Sequence, residues 1–141
     1  MMPNRLAHQF VTSFPAVLEA GVLYVSIEYD TSSHLCACGC LNQVVLPLHP
    51  TAWRVTYDGE TVSMSPSVGN WSFQCRSHYW IERGRIRWAP TWTDAQVAAG
   101  RSRTLLERAG DQLVNDSDAP VHRRLPWWRR VAKALLRSQV D

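Results

Sequence analysis

A histidine and three cysteines occupy every second position of the heptapeptide HLCACGC, residues 34–40. The fourth cysteine of the chain, Cys75, is followed at the third position by His78. Two short groups of thiols and imidazoles that lie far apart in sequence are typical of tetrahedral metal sites, in which each group supplies part of the ligand set. The spacing predicts a metal site formed by Cys36, Cys38, Cys75 and His78.

The predicted ligand set has alternates within the heptapeptide. If residues 34–40 stayed extended, their alternate side chains would share one face, and Cys40 and His34 would be eligible as ligands. Zn²⁺ is the favoured ion, because thiolate-rich tetrahedral sites suit it and because a small β domain gains folding free energy from binding it. A site with four such ligands is normally closed to water, which favours a structural ion.

Two catalytic uses of these side chains stay open at this stage. In an open metal site, Glu28 or Asp30 could act as general base toward an activated water. A thiol of Cys75 or Cys40 could instead be a nucleophile that a neighbouring histidine activates. The sequence alone does not decide whether the protein is an enzyme.

Two further alternatives concern redox chemistry and packing. Cys75-x-x-His78 has the spacing of the second ligand box of a Rieske cluster, but the first box requires Cys-x-His, and the chain has the reverse order at His34-Leu35-Cys36. The cysteines could also be small buried residues of a β core. Both alternatives are less favoured than zinc.

The 141 residues, 45% of them hydrophobic, are enough for one domain with a modest core and a short appendage. No stretch approaches about 18 consecutive apolar residues, and the N-terminus lacks the apolar run and cleavage site of a secretory signal. We therefore expect a cytoplasmic protein, a compartment in which cysteines at this spacing bind metal more often than they form disulfides.

The net charge of +3 is unevenly distributed. Residues 120–141 carry six Lys or Arg residues against Asp141, a net charge of +5, which leaves −2 for residues 1–119. Although Arg83, Arg85 and Arg87 could contact phosphates, the mildly acidic body makes a nucleic-acid-binding module a minor alternative.

Short alternating segments predict a mainly β fold of antiparallel strands and hairpins. GVLYVSIEY alternates as a half-buried strand does, Asp58-Gly59 predicts one hairpin turn, and Gly84 predicts a second in HYWIERGRIRWA. A Thr or Asp N-cap opens a helical pattern after residue 92, followed by a linker, VNDSDAP, and a basic amphipathic helix in PWWRRVAKALLR. We therefore expect a β-rich metal-binding domain at 8–92 and a helical extension at 93–141.

The segments GVLYVSIEY, HLCACGC, YDGETVSMSPSVGNWSF and CRSHYWI resemble a family of small bacterial proteins known only as a domain of unknown function. The resemblance covers roughly residues 8–92. It implies a metal-binding protein encoded beside ubiquitin-like proteins and their activating and conjugating enzymes, in systems associated with defence. By position, the Cys/His set of the family corresponds to His34, Cys36, Cys38, Cys40, Cys75 and His78.

These observations lead to a first functional hypothesis. The protein is expected to be a zinc-binding accessory or adaptor of a bacterial ubiquitin-like modification system, with a ubiquitin-like protein or its activating or conjugating enzymes as partner. The alternatives are a metallohydrolase or thiol isopeptidase that processes a ubiquitin-like protein, a Rieske-like redox protein, or a nucleic-acid-binding module. Contact with a membrane surface is expected only through residues 126–137.

Overall fold

The computed structural model describes residues 4–118, with side chains described through residue 113. This part of the chain is mainly β, as predicted, and has one helix at its C-terminal end. The elements are β1 (Ala7–Phe10), β2 (Val22–Ser26), β3 (Thr31–Leu35), β4 (Gln43–Pro47), β5 (Arg54–Tyr57), β6 (Val62–Gly69), β7 (His78–Glu82), β8 (Arg85–Trp88) and α1 (Asp94–Asp118).

The strands form two four-stranded sheets, ordered β1-β2-β3-β4 and β5-β6-β7-β8. All neighbouring strands are antiparallel except β1 and β2, which are parallel and so differ from the predicted arrangement. Side chains of both sheets meet in one hydrophobic cluster that includes Leu23, Val25, Leu46, Val62, Met64, Val68, Tyr79 and Ile81.

Both predicted hairpins are confirmed. The β5–β6 turn has Gly59 at φ 97°, and the carboxylate of Asp58 accepts hydrogen bonds from the backbone N–H groups of Glu60 and Thr61 at 2.9 and 2.6 Å. The β7–β8 turn has Gly84 at φ 71°. Positive φ is a conformation that glycine adopts without steric cost, which explains these residues at the tips.

The alternation predicted for GVLYVSIEY is wrong in its second half. The strand ends at Ser26, and Ile27 and Tyr29 are more than half exposed in the turn that follows. Within the strand both faces are buried, because residues before β2 cover the outer face: Tyr24 Oη accepts a hydrogen bond from the Glu19 N–H, and Ser26 Oγ donates to the Thr12 carbonyl.

The helix begins with a capping box. The Gln96 N–H donates to Thr93 Oγ1 at 3.3 Å, and the Thr93 N–H donates to Gln96 Oε1 at 2.8 Å, so both orphan donors are satisfied. The helix continues to Asp118, where the sequence predicts a linker from residue 114. No proline precedes Pro120 in this stretch, so nothing breaks the backbone hydrogen bonds there.

The chain divides into two compact units, Met1–Glu107 and Arg108–Asp141. The first contains both sheets and the start of α1, and the described part of the second is helical. The boundary predicted between residues 92 and 93 stays a prediction, and the predicted basic helix at 126–137 lies outside the described residues. Within residues 4–118 no helix is both long and apolar enough to cross a membrane.

Candidate metal centre and Ser–His pair

Four cysteines, Cys36, Cys38, Cys40 and Cys75, lie close together, with their Sγ atoms within 4.8 Å of one another. Cys36 follows β3 directly, and the chain then turns sharply, with Gly39 at φ 90° and its N–H donating to the Cys36 carbonyl. Cys75 comes from the loop between β6 and β7. Two loops from different sheets therefore supply the cluster.

The sulfur spacing fits a tetrahedral zinc ion. A Zn–S bond is about 2.3 Å, so a regular tetrahedron places sulfurs about 3.8 Å apart. The Cys36–Cys38, Cys36–Cys75 and Cys40–Cys75 sulfur distances are 3.4, 3.9 and 3.8 Å. A disulfide would need about 2.05 Å, and all four cysteines are free thiols. The cluster is thus able to hold one metal ion.

The thiols of the cluster differ in how readily they ionise. Burial raises the pKa of Cys38 to about 12 and also raises that of Cys36. Burial opposes ionisation of Cys40 as well, but hydrogen bonds from the Asn42 backbone, the Asn42 amide and the neighbouring thiols lower its pKa to about 7. Four thiolates this close would repel one another, so full ionisation needs a positive ion among them.

His34 lies in β3 and is fully buried, with Nε2 2.7 Å from the hydroxyl of Tyr79. Its Nδ1 has no hydrogen-bond partner among the described residues. Burial lowers the pKa of His34 to about 4, so the ring is neutral at physiological pH. This alternate ligand is directed to Tyr79 and is not part of the sulfur cluster.

His78, at the start of β7, is buried and has both ring nitrogens engaged. Its Nε2 lies 2.9 Å from Ser67 Oγ, and its Nδ1 lies 2.7 Å from the carbonyl oxygen of Pro90. A carbonyl oxygen can only accept, so Nδ1 carries the proton and Nε2 accepts the hydrogen bond of the serine hydroxyl. Cys36, Cys38 and Cys75 of the predicted set are brought together, whereas His78 contacts Ser67.

An irregularity in β6 presents Ser67 to His78. The pairing of β6 with β7 shifts register between Met64 and Val68, so Ser67 lies in a bulge of the ladder. Bulges redirect side chains and occur often beside active sites. Immediately after the bulge, Val68 pairs with Tyr79 and Gly69 pairs with His78, which fixes the two strands around the pair.

Two tryptophans hold the imidazole in place. Trp71 and Trp92 stack with an angle of 16° between their planes and ring centroids 5.5 Å apart, and the centroid of His78 lies 5.0 and 5.2 Å from theirs. Gly69 makes room for Trp71, because a Cβ at this position would lie 2.7 Å from Cε2 of the indole. The guanidinium of Arg76 lies over Trp71 and pairs with Asp94 at 3.0 Å.

Ser77 and Asn70 connect the cysteine cluster with the Ser–His pair. The Asn70 amide donates to Ser77 Oγ at 2.9 Å, and Ser77 Oγ lies 3.0 Å from Cys36 Sγ. Both residues are buried, and Ser77 directly precedes His78. The backbone that carries the imidazole is therefore fixed by contacts with the cluster.

Ser67 was not among the residues singled out from the sequence. Serine is common and Ser67 lies 11 residues from His78, so no local spacing connects them. The available signal was the position of both residues in the family-like segments PSVGNW and CRSHYWI. The sequence predicts metal ligands in the second of these segments and assigns no role to Ser67 in the first.

These features define a small β protein with a four-cysteine cluster and a hydrogen-bonded Ser–His pair. The family model described as bacterial ubiquitination-like system serine protease (BubE) matches residues 10–89, more than half of the chain, and the chain therefore belongs to this family. The matched range contains all four cysteines, Ser67 and His78. No curated protein and no solved structure matches the chain.

The family match confirms that the chain belongs to a bacterial ubiquitination-like system, which the resemblance had implied. The family description names a serine protease activity, whereas the resemblance implied a family of unknown function. A serine protease needs a serine hydroxyl that is hydrogen-bonded to a basic group. Among the described residues, Ser67 and His78 form such a pair.

Proposed function

We propose that the protein is a serine peptidase of a bacterial ubiquitination-like system, with Ser67 as nucleophile and His78 as general base. The observation that carries this proposal is the 2.9 Å separation of Ser67 Oγ from His78 Nε2. The description of the family supports it independently. Nucleophile, base and an orienting acceptor on the far side of the base make up the arrangement that activates a serine hydroxyl.

The chemistry follows from the tautomer of His78. Ser67 Oγ attacks the carbonyl carbon of the scissile amide while Nε2 takes the hydroxyl proton, giving a tetrahedral intermediate. His78 then donates this proton to the departing amine, and the acyl group stays on Ser67 as an ester. Water attacks the ester with Nε2 as base, which releases the carboxylic acid and restores the serine.

Pro90 takes the orienting position that a carboxylate holds in many triads. Its carbonyl oxygen keeps the proton on Nδ1 and directs Nε2 toward Ser67, although it carries no charge to stabilise an imidazolium. The two tryptophans limit rotation of the ring. We infer that the fixed position of His78 activates Ser67, and that a buried carboxylate beside the histidine is not required.

We propose that Cys36, Cys38, Cys40 and Cys75 hold a structural Zn²⁺. The ion would join the loop after β3 to the loop before β7 and so maintain the backbone that leads to His78. The set predicted from the sequence, with His78 as the fourth ligand, would require His78 to leave Ser67, and we therefore favour the four thiolates.

The substrate is proposed to be a polypeptide of the ubiquitin-like pathway, either the ubiquitin-like protein itself or a conjugate of it. The accessory or adaptor role is the second candidate function. It is favoured by an exposed aromatic group in which the rings of His8, Phe10 and Tyr57 lie 5.3 to 5.6 Å apart, with Phe10 and Tyr57 about half exposed. Exposed aromatic groups of this kind are typical of protein-binding surfaces.

The decisive experiment treats the purified chain with a fluorophosphonate probe, which phosphonylates activated serines, and locates the modification by peptide mass spectrometry. We expect modification at Ser67, loss of it in Ser67→Ala and His78→Gln, and full modification in Ser13→Ala, an exposed serine between β1 and β2. An unmodified wild-type chain that still binds its partners would favour the adaptor role. Peptide hydrolysis by Ser67→Ala at the wild-type rate would favour a thiol or metal mechanism.

A further inference from the structure

An open groove of about 560 Å³ lies beside β5. Its volume is within the range of about 300–1,000 Å³ that is usual for ligand sites. Arg54, Val55 and Thr56 are consecutive residues of β5, and all three line the groove. Since successive side chains of a strand point to opposite faces, a groove lined by three in a row runs along the edge of the strand.

The backbone edge that faces this groove has no strand beside it. β5 is the outermost strand of its sheet and pairs only with β6 among the strands of residues 4–118, although Trp53, just before it, forms an isolated parallel bridge with Leu48, so the free edge begins at Arg54. In an antiparallel ladder, alternate residues direct their N–H and C=O groups away from the partner strand. An extended polypeptide can therefore pair with β5 here, the mode of binding known as strand addition.

The groove also contains apolar surface that could receive a side chain of such a strand. Leu48, Pro50, Trp53 and Val55 line it, and Trp53 and Val55 are only partly buried. A bound strand directs every second side chain to one face, so one substrate residue can enter this apolar part while its neighbours stay in solvent.

The groove lies close to the proposed nucleophile. Ser65 lines it and is two residues before Ser67, a separation that an extended chain spans in about 7 Å at most. Trp53, which also lines the groove, donates its indole N–H to the Ser67 carbonyl at 3.4 Å. Because Arg54 pairs with Ser65, a polypeptide lying along β5 from Tyr57 toward Arg54 would run toward the part of β6 that carries Ser67.

We infer that this groove is the substrate-binding site of the proposed peptidase: it binds an extended segment by strand addition to β5 and selects a bulky apolar residue within two positions of the scissile bond. This inference rests on the proposed function, and it identifies the substrate as an extended, unfolded segment of a protein. It also identifies the lining residues of β5 as determinants of specificity.

The test uses the full chain and a peptide library prepared by digesting a bacterial proteome, with cleavage sites identified by mass spectrometry. We expect Leu, Ile, Val, Met or Phe within two residues of the cleaved bond, on one side, to be preferred over Gly by about tenfold or more. Thr56→Trp fills the groove from an exposed position and should abolish this preference and lower the cleavage rate. Val45→Trp, at an exposed position on β4, is the matched control and should change neither.

Modification of Ser67 by the fluorophosphonate probe separates the two proposals. Thr56→Trp should retain full modification, because the probe needs the Ser–His pair and not the groove. Cleavage without apolar preference, or a preference that Thr56→Trp leaves intact, would overturn the groove assignment alone. So would modification of Ser67 without cleavage of any peptide, since an extended segment would then not be the substrate. Absence of both modification and cleavage would overturn the proposed function itself.

Discussion

Cys75 and His78 are three residues apart, yet their side chains belong to different clusters: the Cys75 sulfur lies 3.9 Å from that of Cys36, and the His78 imidazole lies 2.9 Å from the Ser67 hydroxyl. The C-x-x-H spacing that suggests two ligands of one ion thus joins a cysteine of the sulfur cluster to a histidine that is hydrogen-bonded to a serine. The short segment between them contains Ser77, which contacts Cys36. A metal ion in the cluster would therefore stabilise the start of the strand that carries the base.

The assignment of ligands leads to the first prediction, which compares Cys40→Ser with His78→Ala. We expect the wild-type chain to contain about one zinc ion, measured by elemental mass spectrometry on untagged protein. Cys40→Ser removes a thiolate and should lower the zinc content and the melting temperature. His78→Ala should retain the zinc and lose modification of Ser67 by the fluorophosphonate probe.

The ligand set predicted from the sequence, which includes His78, gives the reverse result. In that case His78→Ala would release the ion, and Cys40→Ser would leave the zinc content unchanged. Counting thiols before and after addition of a chelator under denaturing conditions provides an independent check, because coordinated cysteines react slowly until the ion is removed.

The sequence predicts those parts of the fold that local chemistry determines. Asp58-Gly59 and Gly84 specify their hairpins because few other residues adopt the required backbone angles. Cys36, Cys38 and Cys75 are predicted as ligands, with Cys40 as an alternate, because two short Cys/His groups are typical of a tetrahedral metal site.

The role of His78 depends on contacts that are distant in sequence. Ser67 reaches it through the pairing of β6 with β7, and the Pro90 carbonyl reaches it from beyond β8. A spacing rule shows which groups a side chain can reach, whereas tertiary packing decides which group it binds. The buried outer face of β2 is likewise not evident from the strand pattern, since residues that precede the strand cover it.

The second prediction concerns the close approach of the Trp71 indole to Gly69. In Gly69→Ala the new methyl group would collide with the indole of Trp71, which in turn contacts His78. We expect the rate of Ser67 modification to fall by tenfold or more, since displacement of a catalytic group by about 1 Å can cost about 100-fold in rate. The rate is measured from the mass shift of the intact protein over time.

Gly110→Ala is the matched control for this substitution. Gly110 is an exposed residue of α1 with nothing within 4 Å of an added Cβ, and alanine in a helix is favoured over glycine by about 1 kcal/mol. This variant should react at the wild-type rate and melt at the same or a higher temperature. Equal reactivity of Gly69→Ala and the wild type would show that the position of Trp71 does not matter to the pair.

The third prediction compares two arginines in similar surroundings. Arg76 lies 5.7 Å from the Trp71 ring and pairs with Asp94, and Arg87 lies 5.4 Å from the Trp80 ring and pairs with Glu82. Only Arg76 contacts a ring that touches His78. We therefore expect Arg76→Ala to slow modification of Ser67 several-fold and Arg87→Ala to leave it unchanged.

Thermal melting should distinguish this effect from a loss of stability. Exposed ion pairs and cation–π contacts each contribute under about 1 kcal/mol, so both variants should remain folded and melt close to the wild type. Equal reaction rates for the two variants would argue against a role for Arg76 in holding Trp71. A large fall in melting temperature for Arg76→Ala would indicate a structural role instead.

The fourth prediction tests the connection between the cysteine cluster and the Ser–His pair at Ser77. In Ser77→Ala the buried amide of Asn70 loses its oxygen acceptor and keeps only the longer contact with Cys36 Sγ, 3.7 Å, and Cys36 loses a hydrogen-bond partner. An unsatisfied buried donor costs about 1–3 kcal/mol, and the free energy of unfolding in urea should fall by that amount. Because Ser77 precedes His78, the rate of Ser67 modification should fall as well, at a temperature where the variant is fully folded.

Ser72→Ala is the control, since Ser72 is exposed and accepts only a long hydrogen bond, 3.4 Å, from Arg101. If Ser77→Ala lowered stability without changing the rate, the cluster would support the fold but not the position of the base.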